Sequence, residues 1–369
     1  MKPRVVFVGS SKSVFVTRTA ETFSHYGLDV KIIDTTPGKV IINGLLSKIV
    51  QKLFLVITVL KSAVKIEKSS TAVLMSLPTD TFWLVPLLKW RFDRVVGVAF
   101  GTDILRRQEK RDRWLRYGLM RLDAISATNQ NVIKKLKSDF PNLEPEKISI
   151  TRFGLPVFDH LNDLIENKID GEASRLLLGY RPDRMLLSLG YCASQEQRQL
   201  SLIKFFLENE RALSNFDFVV PVQYGSPEVA ESVTEACALA NERLNDQRFH
   251  VLTDFHDSLR SARMRMATNV LINHAVSDAF SGSVQEVIFA GNLVLAEKHL
   301  PYQNMPGFGT ALRSYGSLSE ALEMLQPSYL RRWKSDSLQA ARQNRLGLEN
   351  SSSWKAVFPD WMELIAGDK

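Results

Sequence analysis

Cysteine is nearly missing from this chain: Cys192 and Cys237 are the only two in 369 residues, and neither belongs to a CxxC pair. A disulfide framework is therefore excluded, and a reduced, cytoplasmic setting is expected. No Gly-x-x-x-x-Gly-Lys-Ser/Thr loop occurs, which argues against a P-loop NTPase. No Asp-x-Asp occurs either, and the six histidines are scattered without metal-ligand spacing, so no metal or other cofactor is expected. The opening residues, MKPRVVFVGSS, run straight into a strand pattern with no apolar stretch ahead of a small-residue cleavage site. No secretion signal is expected. Low-complexity tracts and short-period repeats are likewise missing.

What is present is an ordinary globular composition, 45% hydrophobic and 24% charged, in a chain long enough for two domains. Its net charge of +7 is unevenly placed. Residues 1–160 carry 26 Lys and Arg against 14 Asp and Glu, while the remainder is mildly acidic. The first half is expected to meet an anionic surface. It lacks an aromatic-interleaved sheet motif, so nucleic acid is not the expected partner.

Short apolar runs alternate with helical patterns, as in parallel sheets built from βαβ units. Strands are expected at 4–10, 29–35, 71–77, 94–100, 123–128 and 147–153, then at 185–191, 217–224, 248–254, 269–274 and 292–297. The reading is an α/β protein with two Rossmann-like domains, 1–160 and 185–345, whose parallel sheets face across a cleft. Residues 161–184, within a polar stretch carrying Pro and Gly, read as a linker. A terminal helix over 346–369, with a break around Gly347–Ser353, carries Trp354, Phe358, Trp361 and Leu364 on one face and could return to the first domain.

Ligands of open parallel sheets bind beyond the carboxyl ends of the strands. There, His274-Ala-Val-Ser-Asp278-Ala-Phe-Ser-Gly-Ser-Val-Gln-Glu286-Val-Ile-Phe-Ala-Gly291 runs from a strand through a Ser/Gly-rich loop into a helix. The amides near Ser281, Gly282 and Ser283 form a candidate diphosphate cradle. Asp278 and Glu286, on either side of the loop, can reach opposite ends of a bound nucleotide sugar. Gly190, closing a strand, permits close approach of a ligand. Arg198 could pair with a diphosphate, and Tyr224 and Phe255 could contact a base or simply pack. On the first half, Asp80 and Asp103 follow strands directly; each is a candidate general base or an N-cap.

The 274–291 stretch resembles the retaining glycosyltransferases of family 4, in which two acids at this spacing precede Ala-x-Gly. The resemblance implies that Glu286 holds the nucleotide ribose and that Asp278, standing where that family has Glu, faces the donor sugar. Leu189-Gly190-Tyr191-Cys-Ala-Ser194, Val220-Pro221-Val-Gln-Tyr224-Gly225 and Val251-Leu-Thr-Asp-Phe255 resemble family 56. Those enzymes transfer 4-acetamido-4,6-dideoxygalactose from a dTDP donor to a polyprenyl-diphosphate-linked sugar with inversion. Both resemblances imply the GT-B fold and a nucleotide diphosphate sugar donor. The expectation is a metal-independent glycosyltransferase, inverting rather than retaining, acting on a lipid-linked or other glycan acceptor in polysaccharide synthesis.

Residues 41–65 are very apolar but interrupted by Lys48, Gln51 and Lys52, so a spanning helix is not expected. Leu53 and Ile57 recur at helical spacing with lysines beside them. This fits either a buried helix or one lying on an anionic membrane, at the inner face of the plasma membrane. A sugar-nucleotide epimerase of the same fold and a non-catalytic partner subunit are the competing readings.

Overall fold

The computed structural model describes residues 4–36, 45–76, 84–105, 112–302 and 307–367. The chain divides into two compact units, one formed by Met1–Phe153 with Val357–Lys369, the other by Gly154–Ala356.

The first unit is built on six parallel strands: β1 (Arg4–Gly9), β2 (Asp29–Asp34), β3 (Thr71–Met75), β4 (Arg94–Ala99), β5 (Ala124–Ala127) and β6 (Ile148–Ile150). They lie in the order β2-β1-β3-β4-β5-β6. The near-continuous apolar runs of β1, β3 and β4 are those of strands covered on both faces, and Val5 to Val8 are fully buried. Expected strand starts agree with these to within a residue. The carboxyl ends are shorter than the pattern suggested because the last residues turn into loops.

The final helix, Trp354–Ala366, belongs to this first unit from Val357 onward. Trp361 is fully buried, with its ring 5.5 Å from Phe23 and its Nε1 donating to the Arg152 carbonyl at 2.8 Å. Phe358 stacks on Tyr26 at 4.0 Å, and the Ile365 carbonyl accepts from Thr71 Oγ1 at 3.1 Å. The preceding helix, Pro327–Ser352, runs unbroken through Gly347, and the interruption expected around Gly347–Ser353 falls at Ser353.

At the end of β2, Asp34 ties down the turn after β1. Its carboxylate accepts from the Ser11 amide at 2.9 Å, Ser11 Oγ at 2.5 Å, the Thr36 amide at 2.8 Å and Thr36 Oγ1 at 2.6 Å. Partial burial alone would push this carboxyl up, but the four bonds win and hold it at about 2. A depressed carboxyl contributes stability that is present above its unfolded value and lost as pH falls through the folded one. Because water screens this partly buried site, Asp34→Ala should cost about 1 kcal/mol near neutral pH, and the cost should fade below about pH 3. Urea unfolding of both proteins across that range checks this.

The second unit carries β7 (Met185–Leu189), β8 (Phe216–Pro221), β9 (Phe249–Leu252), β10 (Val270–Asn273), β11 (Leu293–Glu297) and β12 (Leu312–Tyr315), all parallel, in the order β12-β11-β10-β7-β8-β9. This is the doubly wound Rossmann order, and it reverses between β7 and β10. Strand β12 escaped the sequence pattern because Leu-Arg-Ser-Tyr offers no apolar run.

The expected linker over 161–184 requires correction. Helices Val157–Glu166 and Gly171–Leu177 occupy most of it and lie within the second unit. Val157, Phe158, Leu161 and Leu164 form a buried face at helical spacing, with Phe158 stacked 4.1 Å from Phe289. Pro156 and Gly171 sit at helix starts rather than in a loop, so their presence did not signal a connection.

Candidate functional site

The reversal between β7 and β10 puts the loops that leave these two strands side by side. Gly190, at the end of β7, has a left-handed φ of 69°, and an added Cβ would meet Gln197 Oε1 at 2.7 Å. Buried Gln199 then bridges β7 to β8, donating to the Leu189 and Pro221 carbonyls at 3.0 and 2.9 Å. Gly225, with φ of 124°, lets the turn after β8 pass against Ala193.

Beyond β10 the loop 274–281 leads into the helix Gly282–Phe289. Its N-cap, Ser281, makes no side-chain capping bond. The amides of Gly282, Ser283 and Val284, in the first turn, have no acceptor among the described residues. Four residues into the helix, Glu286 is 8% exposed, and its Oε2 accepts from Arg265 Nε at 2.9 Å. Arg265 Nη2 donates to Ser283 Oγ at 2.8 Å, so one guanidinium holds the first turn and the acid together. The second oxygen, Oε1, has no donor among the described residues. Lys334 Nζ closes the far end of the helix on the Gly291 carbonyl at 2.6 Å, and burial lowers its ammonium to about 8. Unpaired amides at one end and a cation at the other both suit an anion at the N-terminus.

Asp278 is turned inward. At 7% exposure, its Oδ2 accepts from Tyr302 Oη at 2.6 Å, Tyr191 Oη at 2.9 Å and Asn273 Nδ2 at 2.9 Å, and its Oδ1 accepts from the Ala279 amide at 2.8 Å. Burial pushes this carboxyl up, against four hydrogen bonds that pull it down. The same burial, together with the carboxylate, raises both tyrosines well above their usual value, which keeps them neutral donors.

Of the residues read from the sequence, Ser283 and Glu286 are brought together through Arg265, with Ser281 and Gly282 at the same helix start. Gly190 and Arg198 lie on the β7 side, where Arg198 Nε donates to the His274 carbonyl at 2.8 Å. Tyr224 and Phe255, 48% and 52% exposed, stand beyond β8 and β9 rather than in the core. In the first unit, Asp103 Oδ1 accepts from the Gly101 amide at 2.9 Å and its Oδ2 from the Phe100 amide at 3.2 Å. Asp80 lies outside the described residues.

The helix Leu45–Val64 contains Lys48, Lys52, Leu53 and Ile57. Lys52 is exposed, as are Leu53 at 59%, Phe54 at 54% and Ile57 at 41%, whereas Val59 and Ala63 face the core. Among the described residues no helix is long and apolar enough to cross a membrane. Lys89 is engaged with Asp123 at 2.7 Å and Arg94 with the Leu364 carbonyl at 3.1 Å, so both serve the first unit's own packing.

Arg265, Tyr191 and Tyr302 were not singled out by their chemistry in the sequence. Arg265 sits among Arg260 and Arg263 on a ten-residue helix, and nothing in Ser-Ala-Arg-Met-Arg-Met marks it as the partner of Glu286.

No protein-family model and no curated protein matches the sequence. Solved structures do match its whole length. The chain is similar to a sucrose-phosphate synthase from Thermosynechococcus elongatus at 12% identity, with a TM-score of 0.75 over 98% of each chain. It is similar to a UDP-forming trehalose-phosphate synthase from Burkholderia xenovorans at 9% identity, with a TM-score of 0.70 over 99% of this chain and 100% of that one. Anabaena HepE, solved with UDP, matches at 11% identity with a TM-score of 0.66, again over 99% and 100%. The fold is that of the GT-B proteins, α/β with two six-stranded parallel sheets.

Proposed function

We propose that this chain is a glycosyltransferase that takes a sugar from a UDP- or dTDP-type nucleotide diphosphate sugar. It passes that sugar to a lipid-linked or other membrane-associated glycan acceptor in cell-surface polysaccharide synthesis. The observation that carries the reading is the helix start at Gly282: three amides without an acceptor among the described residues, beside a nearly buried Glu286 with one oxygen uncommitted among them. The amides take the diphosphate, and Glu286 accepts from the ribose hydroxyls. Support comes also from the fold shared with a UDP-forming synthase and with HepE, which was solved with UDP.

Catalysis follows from charge. As the sugar leaves, negative charge grows on the diphosphate, and fixed amides at the helix start stabilise it without reorganising. No metal ion is assigned a part. The acceptor hydroxyl must lose a proton, and Asp103 is the described candidate to take it. It accepts from the Phe100 and Gly101 amides, which fix its carboxyl just beyond the end of β4. Phe15, 56% exposed, with Phe100 and Phe153 at 5.2 and 6.1 Å, adds an aromatic surface beside Asp103 for the acceptor. Inversion is the expected stereochemistry.

A thermal-shift screen of nucleotide sugars tests the proposal: one UDP- or dTDP-sugar should raise the melting temperature. Stabilisation by none of them would remove the donor assignment.

The exposed Leu53, Phe54 and Ile57, with Lys52 and Lys61 beside them, are assigned to the cytoplasmic face of an anionic membrane. Leu53→Glu with Ile57→Glu should lower co-sedimentation with phosphatidylglycerol-containing liposomes by about tenfold or more. Both side chains are exposed, so the melting temperature should not change. Undiminished liposome binding would argue against a membrane-facing helix.

A further inference from the structure

Glu297, the last residue of β11, gathers nitrogen groups from three segments although its side chain is only 15% exposed. Its Oε1 lies 2.6 Å from His274 Nδ1, in the loop after β10. Its Oε2 pairs with Arg198, at the turn opening the helix Gln199–Glu208, and lies 3.0 Å from His299 Nδ1. Arg198 holds this position from a left-handed backbone, φ 48°. His299 reaches onward: its Nε2 lies 2.9 Å from the Val276 carbonyl, and the Val276 amide donates to the Glu196 carbonyl at 2.9 Å.

The His299 ring thus sits between two oxygens that can only accept, a carboxylate and a peptide carbonyl. Both ring nitrogens need a hydrogen to make these contacts attractive, so the geometry is that of an imidazolium. A neutral ring would set a lone pair against one of the two oxygens. Other charged or titratable groups around it are Arg198 and His274, both on Glu297, Tyr315, whose hydroxyl meets His274 Nδ1 at 3.0 Å, and its chain neighbour Lys298. Burial holds the His274 ring below its ordinary value, so it is neutral near pH 7 and does not compete as a second cation.

We infer that Glu297 is a positioning residue for the donor site, and that protonated His299 latches the loop 274–281 to the end of β11. Glu297 acts through others: it fixes Arg198 on the β7 side and His299 on the loop that leads to the Gly282 amides. The ligand's identity rests on the donor reading above, but the latch is a property of the chain alone. While the ring carries both protons the two contacts hold; when one leaves, one contact is lost and the loop is freed.

Two measurements on the full chain keep the latch and the donor reading apart. The first is hydrogen exchange of peptides covering 274–281 without ligand, at about pH 5.5 and pH 8, corrected for intrinsic exchange. The second is UDP affinity by calorimetry at the same two pH values. In the wild type, exchange should be about three- to fivefold faster and UDP about three- to fivefold weaker at the higher pH, the scale of one half-exposed ion pair. His299→Gln should show the looser behaviour at both values, and Glu297→Gln should lose the same pH dependence. If His299→Gln keeps the wild-type pH dependence of exchange, the latch is wrong. If exchange behaves as expected while UDP binds at neither pH, the latch stands and the donor reading fails. If UDP binds with the same affinity at both pH values in every protein, Glu297 does not position the donor.

Discussion

Glu286→Ala should weaken UDP binding by about a hundredfold. Hydrogen bonds to a charged group contribute about 1.5–3 kcal/mol each, and about 1.4 kcal/mol is a factor of ten in affinity. The substitution removes the acceptor assigned to the ribose and leaves Arg265 without its carboxylate, so its guanidinium no longer braces Ser283 at 2.8 Å. Arg265→Ala should act in the same direction with a smaller loss, about tenfold, because the acid remains. Glu286→Gln keeps an acceptor and should fall between the two. Calorimetry with UDP measures all three. The polar end of Glu286 contacts only Arg265 among the described residues, so circular dichroism should show the alanine variant folded. An unchanged UDP affinity in that folded variant would overturn the assignment of this helix start to the donor.

Asp278→Ala should cost the second unit about 3 kcal/mol or more of stability. Four donors lose one acceptor together: two tyrosine hydroxyls, the Asn273 amide group and the Ala279 amide. Each buried donor left unmatched costs about 1–3 kcal/mol, partly recovered as water enters the space. Tyr302→Phe removes the hydroxyl's bond to Asp278 and the one it accepts from the Ser281 amide at 3.3 Å, and should cost about 1–2 kcal/mol. Urea unfolding followed by tryptophan fluorescence gives both values. The sign with pH is also fixed. Burial raises this carboxyl in the folded chain, so the stability tied to its protonated form is present below the unfolded carboxyl value and is lost as pH rises through the folded one. Asp278→Ala should lack that decline. A loss under about 0.5 kcal/mol would show that the network does not hold the loop.

Much of the architecture can be read from residue pattern, because parallel strands buried on both faces are written as apolar runs. Val5–Val8 and Leu186–Leu189 are such runs, and their positions follow from composition alone. Direction is harder. The spacing of Asp278 and Glu286 places both acids beside the loop, yet only the folded chain shows one turned inward onto Tyr191 and Tyr302 and the other held by Arg265. That pairing spans 21 residues and depends on two helices meeting, which no local pattern encodes. Tyr224 and Phe255 illustrate the converse: aromatic character suits a core as well as a surface, and the structure puts both outside. The helix Val157–Glu166 was hidden because Pro156 and Gly171 mark helix starts here, while the same residues elsewhere mark loops.

The first unit needs both ends of the polypeptide, since Trp361 and Phe358 pack on Phe23. During synthesis, the strands of the first unit are therefore made long before the helix that packs on Phe23, and that unit can complete its packing only after the whole of Gly154–Ala356 has been translated.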